Sequence, residues 1–166
     1  MYCLSNTLAA IQNFSVFHQG FCSACAAAGV ISMCFDAENP NWENEDSEQV
    51  KIIDNSTGIL HNISRWLRDR ELFANREQTL LYFAKKEVPA TAAESLLTLA
   101  YLVDENTNHL ILADDNLPSI IITLLDEAWQ SEDRHSNIYS ANKLAEGLSH
   151  VAINEIARKA FLKLII

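Results

Sequence analysis

The sequence is poor in the residues that make tight turns, with only four glycines and three prolines among 166 residues. Folds built from many short strands need such turns, so the composition disfavours a sandwich or barrel. No apolar run approaches the roughly 18 residues of a membrane-spanning helix. The N-terminal stretch has no basic segment and is interrupted by Ser5, Asn6 and Gln12, which is not the pattern of a signal peptide. We therefore expect a cytoplasmic protein, with the nucleus as the alternative.

Basic residues are also scarce, since 12 lysines and arginines stand against 22 acidic residues and give a formal charge of −10. Nucleic-acid binders need basic patches that neutralise phosphates, so we expect no nucleic-acid partner. A basic peptide or protein would be attracted more easily. The excess of acidic residues would equally serve solubility alone.

The chain has four cysteines, and three of them, Cys22, Cys25 and Cys34, lie close together. The Cys22–Cys25 spacing is a ligand-type spacing, but a zinc site would need two more ligands to converge on it. Free cysteine usually behaves as a small buried hydrophobe, and we expect reduced thiols, no metal and no cofactor. A glycine-rich phosphate loop, a nucleophile elbow and a two-histidine metal motif are all missing, so we expect no catalytic residues and no enzyme.

What the sequence does contain is a nine-residue pattern that occurs four times, at 7–15, 56–64, 95–103 and 144–152. The seventh positions of the four copies are Asn13, Asn62, Tyr101 and His150, separated by 49, 39 and 49 residues. A period of about 40 residues, lengthened by insertions, is typical of a helical repeat array. Such repeats must stack to bury their apolar faces, and stacked arrays are usually binding surfaces. The predicted fold class is therefore all-α.

Within each copy, apolar residues recur at spacings of three and four, which predicts an amphipathic helix. A short helix follows each copy, at about 18–28, 67–77, 105–115 and 153–163, and a further helix follows the first three, at about 30–36, 78–86 and 117–128. Gly29 and Asn116 lie at two of the helix joints, while the Glu77-Gln78 joint lacks such a residue. Polar linkers are predicted at 36–49, 85–91 and 126–137.

The pattern predicts one domain over residues 1–166, with repeats at about 1–35, 48–88, 90–128 and 137–166. Solenoids need polar terminal repeats, and neither end of the sequence is polar. We therefore expect a segment of a longer array, or apolar ends that contact neighbouring repeats or a second copy.

The four stretches resemble the third helix of the armadillo repeat, whose pattern is close to A-L-W-A-L-S-N-I-A. The matching residues are Leu8, Ile11, Asn13 and Phe14 in the first copy, Leu60, Asn62 and Ile63 in the second, Leu96, Leu99 and Leu102 in the third, and Ala145, Leu148, Ser149 and Val151 in the fourth. Residues 27–31 resemble the family's joint between its first two helices. The resemblance implies a right-handed α-solenoid of about three three-helix repeats and a partial fourth, with a groove lined by the third helices. HEAT repeats are the nearest competitor, but they use two helices per unit.

The resemblance also implies a binding site. In peptide-binding armadillo proteins, the asparagine at the seventh position bonds the backbone of an extended peptide. Asn13 and Asn62 match that position, whereas Tyr101 and His150 depart from it. These four groove candidates would face a partner, or they would instead bond to neighbouring helix ends. Trp42 and Trp129, in the two long acidic linkers, are secondary candidates for partner contact.

Two functions remain open at this stage. One is a non-enzymatic scaffold or adaptor that binds a protein or peptide on the concave face of the third helices. The other is a structural or autoinhibitory segment of a larger signalling protein, as in some innate-immune adaptors. Exposed groove candidates favour the first interpretation, and internally bonded ones favour the second.

Overall fold

The computed structural model describes residues 2–37, 47–86, 88–112, 116–134 and 139–153, together with residues 155, 158, 159 and 162. These residues are all-helical, with no strand among them, which confirms the predicted all-α class. The helices are α1 (Tyr2–Ser15), α2 (Gln19–Ala27), α3 (Val30–Ala37), α4 (Ser47–Leu67), α5 (Glu77–Phe83), α6 (Pro89–Leu102), α7 (His109–Leu112), α8 (Asn116–Gln130) and α9 (Ala141–Val151), with a 3₁₀ segment at Arg70–Phe73. In this part of the chain, no helix has the length and apolar character needed to cross a bilayer.

The four copies of the pattern lie in α1, α4, α6 and α9, and these helices pack side by side in chain order. Their contacts follow the register of the repeat: the Asn62 amide reaches α1 at Gln12, and the Tyr101 ring lies 5.1 Å from the His150 ring. Side-chain contacts between α1 and α4 occur in the same order along both helices, from Ser5 with Asn55 to Ser15 with Trp66. The α1 and α4 helices are therefore parallel and in register.

The remaining helices pack against this row. Helices α2 and α3 pack on α4, α5 packs on α6, and α8 packs on both α6 and α9. The core that these helices share is largely aliphatic, and its fully buried members include Leu8, Ile59, Leu60, Ile63, Leu80, Leu96, Leu97, Leu99 and Ile111. The predicted apolar stripe is thus buried in α4 and α6, whereas in α1 its member Phe14 is exposed.

Several helix limits differ from the prediction. The second short helix, expected at 67–77, is only a 3₁₀ turn, and the third, expected at 105–115, is the single turn α7. The linker predicted at 126–137 begins later, because α8 continues to Gln130 and buries Ala128 in the core. The helix predicted at 153–163 lies mostly outside the described residues, as do residues 38–46 of the first linker.

The joints and close approaches are set by single residues. Gly29 has the predicted left-handed backbone, with φ of 78°. The second joint uses Asn75, with φ of 64°, which the sequence analysis did not single out. Gly147 is buried where α9 crosses α6, and a Cβ there would clash with the Leu97 side chain. The absence of a side chain at Gly147 therefore lets α9 approach α6 closely.

Candidate functional site

Asn62 and Trp66 on α4 hold the C-terminal end of α1. The Asn62 amide donates to the Ser15 hydroxyl at 2.9 Å and to the Gln12 carbonyl at 3.4 Å. The Trp66 indole N–H donates to the carbonyls of Ser15 and Val16 at 3.1 and 3.3 Å. The last carbonyls of a helix have no partner within it. The groove candidate Asn62 is therefore hydrogen-bonded inside the protein, and it is only 4% exposed.

Tyr101 and His150 continue the row into α6 and α9. Tyr101 is buried, and its ring lies 5.7 Å from the His61 ring and 5.7 Å from the Arg68 guanidinium. His150 is half-buried, and desolvation, followed by the charge of Arg68, lowers its pKa. Thus the Tyr101 and His150 rings lie together, and of the candidates Asn62, Tyr101 and His150 only His150 retains substantial exposure.

Charged residues flank this end of the row. Glu146 on α9 accepts from Arg68 at 2.9 Å and lies 3.6 Å from Arg65. Arg70 pairs with Glu77 at 3.6 Å and with Asp104 at 3.4 Å. Arg65, Arg68 and Arg70 are thus each paired with acidic residues that follow them in the chain, and such half-exposed pairs add little to stability.

Asn13, the fourth groove candidate, lies on an exposed face of α1 that we call the open face. Its exposed members are Cys3, Asn6, Thr7, Ala10, Asn13, Phe14 and Phe17, of which Phe17 lies two residues beyond the end of the helix. Phe14 is 61% exposed and Phe17 74% exposed. The equivalent residues of α4, 49 positions later, are Ile63, fully buried, and Trp66, half-buried. The open face of α1 therefore exposes to solvent positions whose equivalents in α4 are buried or half-buried.

This part of the chain is also uncharged. No aspartate, glutamate, lysine or arginine occurs before Asp36, although the chain carries 34 such residues. The Phe14 ring contacts the Phe21 ring of α2 at 5.8 Å, which extends the aromatic surface beyond α1. An uncharged face with exposed aromatic rings can bury aromatic area without desolvating ions.

A buried carboxyl group joins α4, α6 and the segment before α9. Glu94 Oε1 accepts from the Tyr139 hydroxyl at 2.9 Å, and Glu94 Oε2 lies 2.7 Å from Thr57 Oγ1. Burial raises the Glu94 pKa to about 8, partly offset by these two hydrogen bonds. The Thr57 hydroxyl has one proton, yet the backbone carbonyls of Ile53 and Asp54 lie within 3.2 Å of it. A protonated Glu94 therefore fits this site, because it can donate to Thr57 while Thr57 donates to a carbonyl.

His61 lies beside this group and is 1% exposed. Its ring is 5.3 Å from the Tyr139 ring, and neither ring nitrogen has a hydrogen-bond partner among the described residues. Burial, followed by the charges of Lys143 and Arg65, lowers its pKa to about 3. His61 is therefore neutral at physiological pH, and it acts here as an aromatic packing residue.

The three clustered cysteines lie in the core. Cys22, Cys25 and Cys34 are buried, and the Cys22 thiol donates to the Ser15 carbonyl at 3.3 Å. Burial, with a smaller contribution from Cys25, raises the Cys22 pKa to about 11. In the described ranges, no three histidine, cysteine or acidic side chains converge in a metal-like arrangement.

Of the two tryptophan candidates, Trp42 lies outside the described residues. Trp129 is near the end of α8 and is 64% exposed, with the Arg134 guanidinium 4.6 Å from its ring. A cleft of about 430 Å³ opens between α4, the start of α6 and α8. Its walls include Asp54 and Glu127 as well as Val50 and Leu124, so it would favour a cation over an anion.

Two features of the site were not predicted from the sequence, namely Phe17 and Glu94. Phe17 lies after the nine-residue window, and only its alignment with Trp66 would have identified it as a candidate contact residue. Glu94 precedes the third window in an alanine-rich stretch with no pairing signal.

With this geometry established, the chain was compared with known proteins, and no protein-family model, curated protein or solved structure matches it.

Proposed function

We propose that this chain is a non-enzymatic helical-repeat module of armadillo type that binds a partner protein through the open face of α1. The observation that carries the proposal is the 61% and 74% exposure of Phe14 and Phe17. Aromatic side chains, phenylalanine included, are enriched at protein interfaces relative to the rest of the surface. With two aromatic rings on one uncharged face, burial against a partner is more favourable than exposure of the rings to water.

The armadillo-type arrangement is supported by the register of the pattern helices. Helices α1, α4, α6 and α9 are neighbours in chain order, and their contacts repeat at the spacing of the sequence pattern. A right-handed solenoid of three-helix units accounts for this order and for the second layer formed by α3, α5 and α8. The role as a scaffold or adaptor in the cytoplasm belongs to the same proposal.

The surface that we propose differs from a peptide groove along all four candidates. Asn13 belongs to the open face, whereas the Asn62 amide already bonds α1 and the Tyr101 ring is buried. A peptide ladder along this row stays a prediction, and so does an autoinhibitory role within a larger signalling protein. The internal hydrogen bonds of Asn62 favour a role for the row in helix stacking. The open face is therefore the surface that we propose for partner binding.

Photocrosslinking tests the proposal. A benzoylphenylalanine at Phe17 should give discrete adducts in cell extract, because this side chain would be buried by the partner. The same probe at Tyr82, which is 45% exposed on α5, is the matched control and should give none of these adducts. Equal, diffuse labelling from both positions would contradict a binding role for the open face.

A further inference from the structure

The contact between α4 and α1 has a specific side-chain signature. On α4, Asn55, Asn62 and Trp66 are spaced by seven and four residues, and all three donate to α1. Asn55 reaches the Ser5 carbonyl at 3.4 Å, and Asn62 and Trp66 reach the last turn. Gly58 lies between them, where a Cβ would clash with the Gln12 side chain. These residues hold a parallel helix in one register. We call Asn55, Asn62 and Trp66 the gripping residues, and the helix that they contact the gripped helix.

The same signature recurs on α1, 49 residues earlier. Asn6, Asn13 and Phe17 occupy the positions of Asn55, Asn62 and Trp66, and Ala9 occupies that of Gly58. All three gripping residues of α1 are exposed. The open face of α1 therefore carries two amide donors and an aromatic anchor in the register that α4 uses on α1.

The helix that is gripped also has a signature. The α1 residues beneath α4 are Ser5, Leu8, Gln12 and Ser15, which are all uncharged. On α9, 137 residues later, the equivalent residues are Asn142, Ala145, Ser149 and Ala152. The first three are exposed, and the set is small and uncharged. Ala152 lacks the hydroxyl of Ser15, so the acceptor left for the gripping amide is the Ser149 carbonyl, in the place of Gln12.

We infer that the open face of α1 binds α9 of a second copy of this chain, head to tail, in the register of the α4–α1 contact. The inference rests on the proposed function, because it names the partner of the same face. The two surfaces lie at opposite ends of the row and are complementary rather than identical. The contact is therefore heterologous, and it adds copies to an open assembly instead of closing a symmetric dimer.

Sedimentation velocity with two variants tests this inference. Phe17→Glu places a charge on the gripping surface, and Ala145→Glu places one on the gripped surface. Both residues are exposed, so both variants should keep the wild-type helical melt. The wild type should grow beyond a dimer as its concentration rises. Each variant alone should remain a monomer, with association weakened at least tenfold.

Mixing the two variants is the decisive step. The Ala145→Glu copy retains an intact α1 face and the Phe17→Glu copy retains an intact α9 face, so the mixture should form a dimer of one copy of each and stop there. A monomeric mixture would overturn the inference, and so would a wild-type dimer that Ala145→Glu leaves intact. A monomeric wild type whose Phe17 probe crosslinks another protein would refute self-association and leave the proposed function standing. Without any Phe17 adduct, the proposed function would fail as well.

Discussion

The side-chain amide of Asn62 lies 2.9 Å from the hydroxyl of Ser15, and this bond ties the end of α4 to the end of α1. Both residues belong to copies of the same nine-residue pattern. One copy of the pattern thus supplies the donor and the previous copy supplies the acceptor, so the pattern encodes its own stacking.

Removing the Asn62 amide should destabilise the monomer. In Asn62→Ala, the buried Ser15 hydroxyl loses the hydrogen bond that it accepts from α4, which costs about 1 kcal/mol of unfolding free energy. Urea denaturation at low protein concentration measures the change. Asn13→Ala is the matched control at the equivalent exposed position, and it should change the unfolding free energy by less than about 0.5 kcal/mol. Equal losses in both variants would refute an internal role that is specific to Asn62.

Glu94 should make stability depend on pH above neutrality. Its pKa is raised from 4.5 to about 8 on folding, so the folded state retains a proton that the unfolded state releases. Stability from this group is fully present below pH 4.5 and is lost as the pH rises through about 8. The window from about pH 7.5 to about 9 is the cleanest one, because His61 is neutral in the folded state there and almost wholly neutral in the unfolded state. Glu94→Gln should flatten the decline in this window, and an unchanged slope would argue against a protonated Glu94.

His61 should act in the opposite direction under acid conditions. Its pKa falls from 6.5 to about 3 on folding, so the unfolded state takes up the proton first. Stability from this residue is present above pH 6.5 and is lost as the pH falls towards 3. The variant His61→Leu should lose less stability than the wild type between pH 6.5 and 4.5, whatever its stability at neutral pH. Parallel acid curves for the two proteins would contradict a buried neutral imidazole.

Gly147 should not tolerate a methyl group. A Cβ there would meet the side chain of Leu97, which is fully buried and would have to shift within the core. We expect Gly147→Ala to lose about 1–3 kcal/mol of unfolding free energy through overpacking. Gly20→Ala in α2 is the control, since nothing lies within 4 Å of its Cβ position and the helix propensity of alanine should stabilise it. Thermal melts of the two variants should therefore move in opposite directions.

The sequence could predict the helical class and the order of the pattern helices, because apolar spacing and repeat distance are local signals. The 49-residue spacing of Asn13 and Asn62 is also the register in which α1 and α4 are aligned. The sequence could not predict that α8 extends through Trp129. The polar composition of the linker favoured a loop, but the burial of Ala128 in the core outweighs this preference. The joint at Asn75 was missed because asparagine is common in loops as well as at helix ends.

The candidate site was harder to predict for a physical reason. An asparagine that binds a peptide and one that caps a neighbouring helix have the same side chain at the same helical position. The difference for Asn13 and Asn62 is only whether another helix end lies within reach, which a single sequence does not state. Glu94 was missed for a similar reason, because its partners Thr57 and Tyr139 are 37 and 45 residues away.

Intermolecular disulfide formation tests the central claim, that the open face of α1 repeats the α4–α1 contact with α9 of another copy. In a Cys3→Ser background, Phe17→Cys is mixed with Ile153→Cys, which replaces the equivalent of Val16 beside Trp66. The account predicts a disulfide between these two variants, and none between Phe17→Cys and Asn142→Cys, which lies roughly 16 Å away along the helix. Equal crosslinking at Ile153→Cys and Asn142→Cys, or crosslinking of Phe17→Cys only with itself, would contradict it.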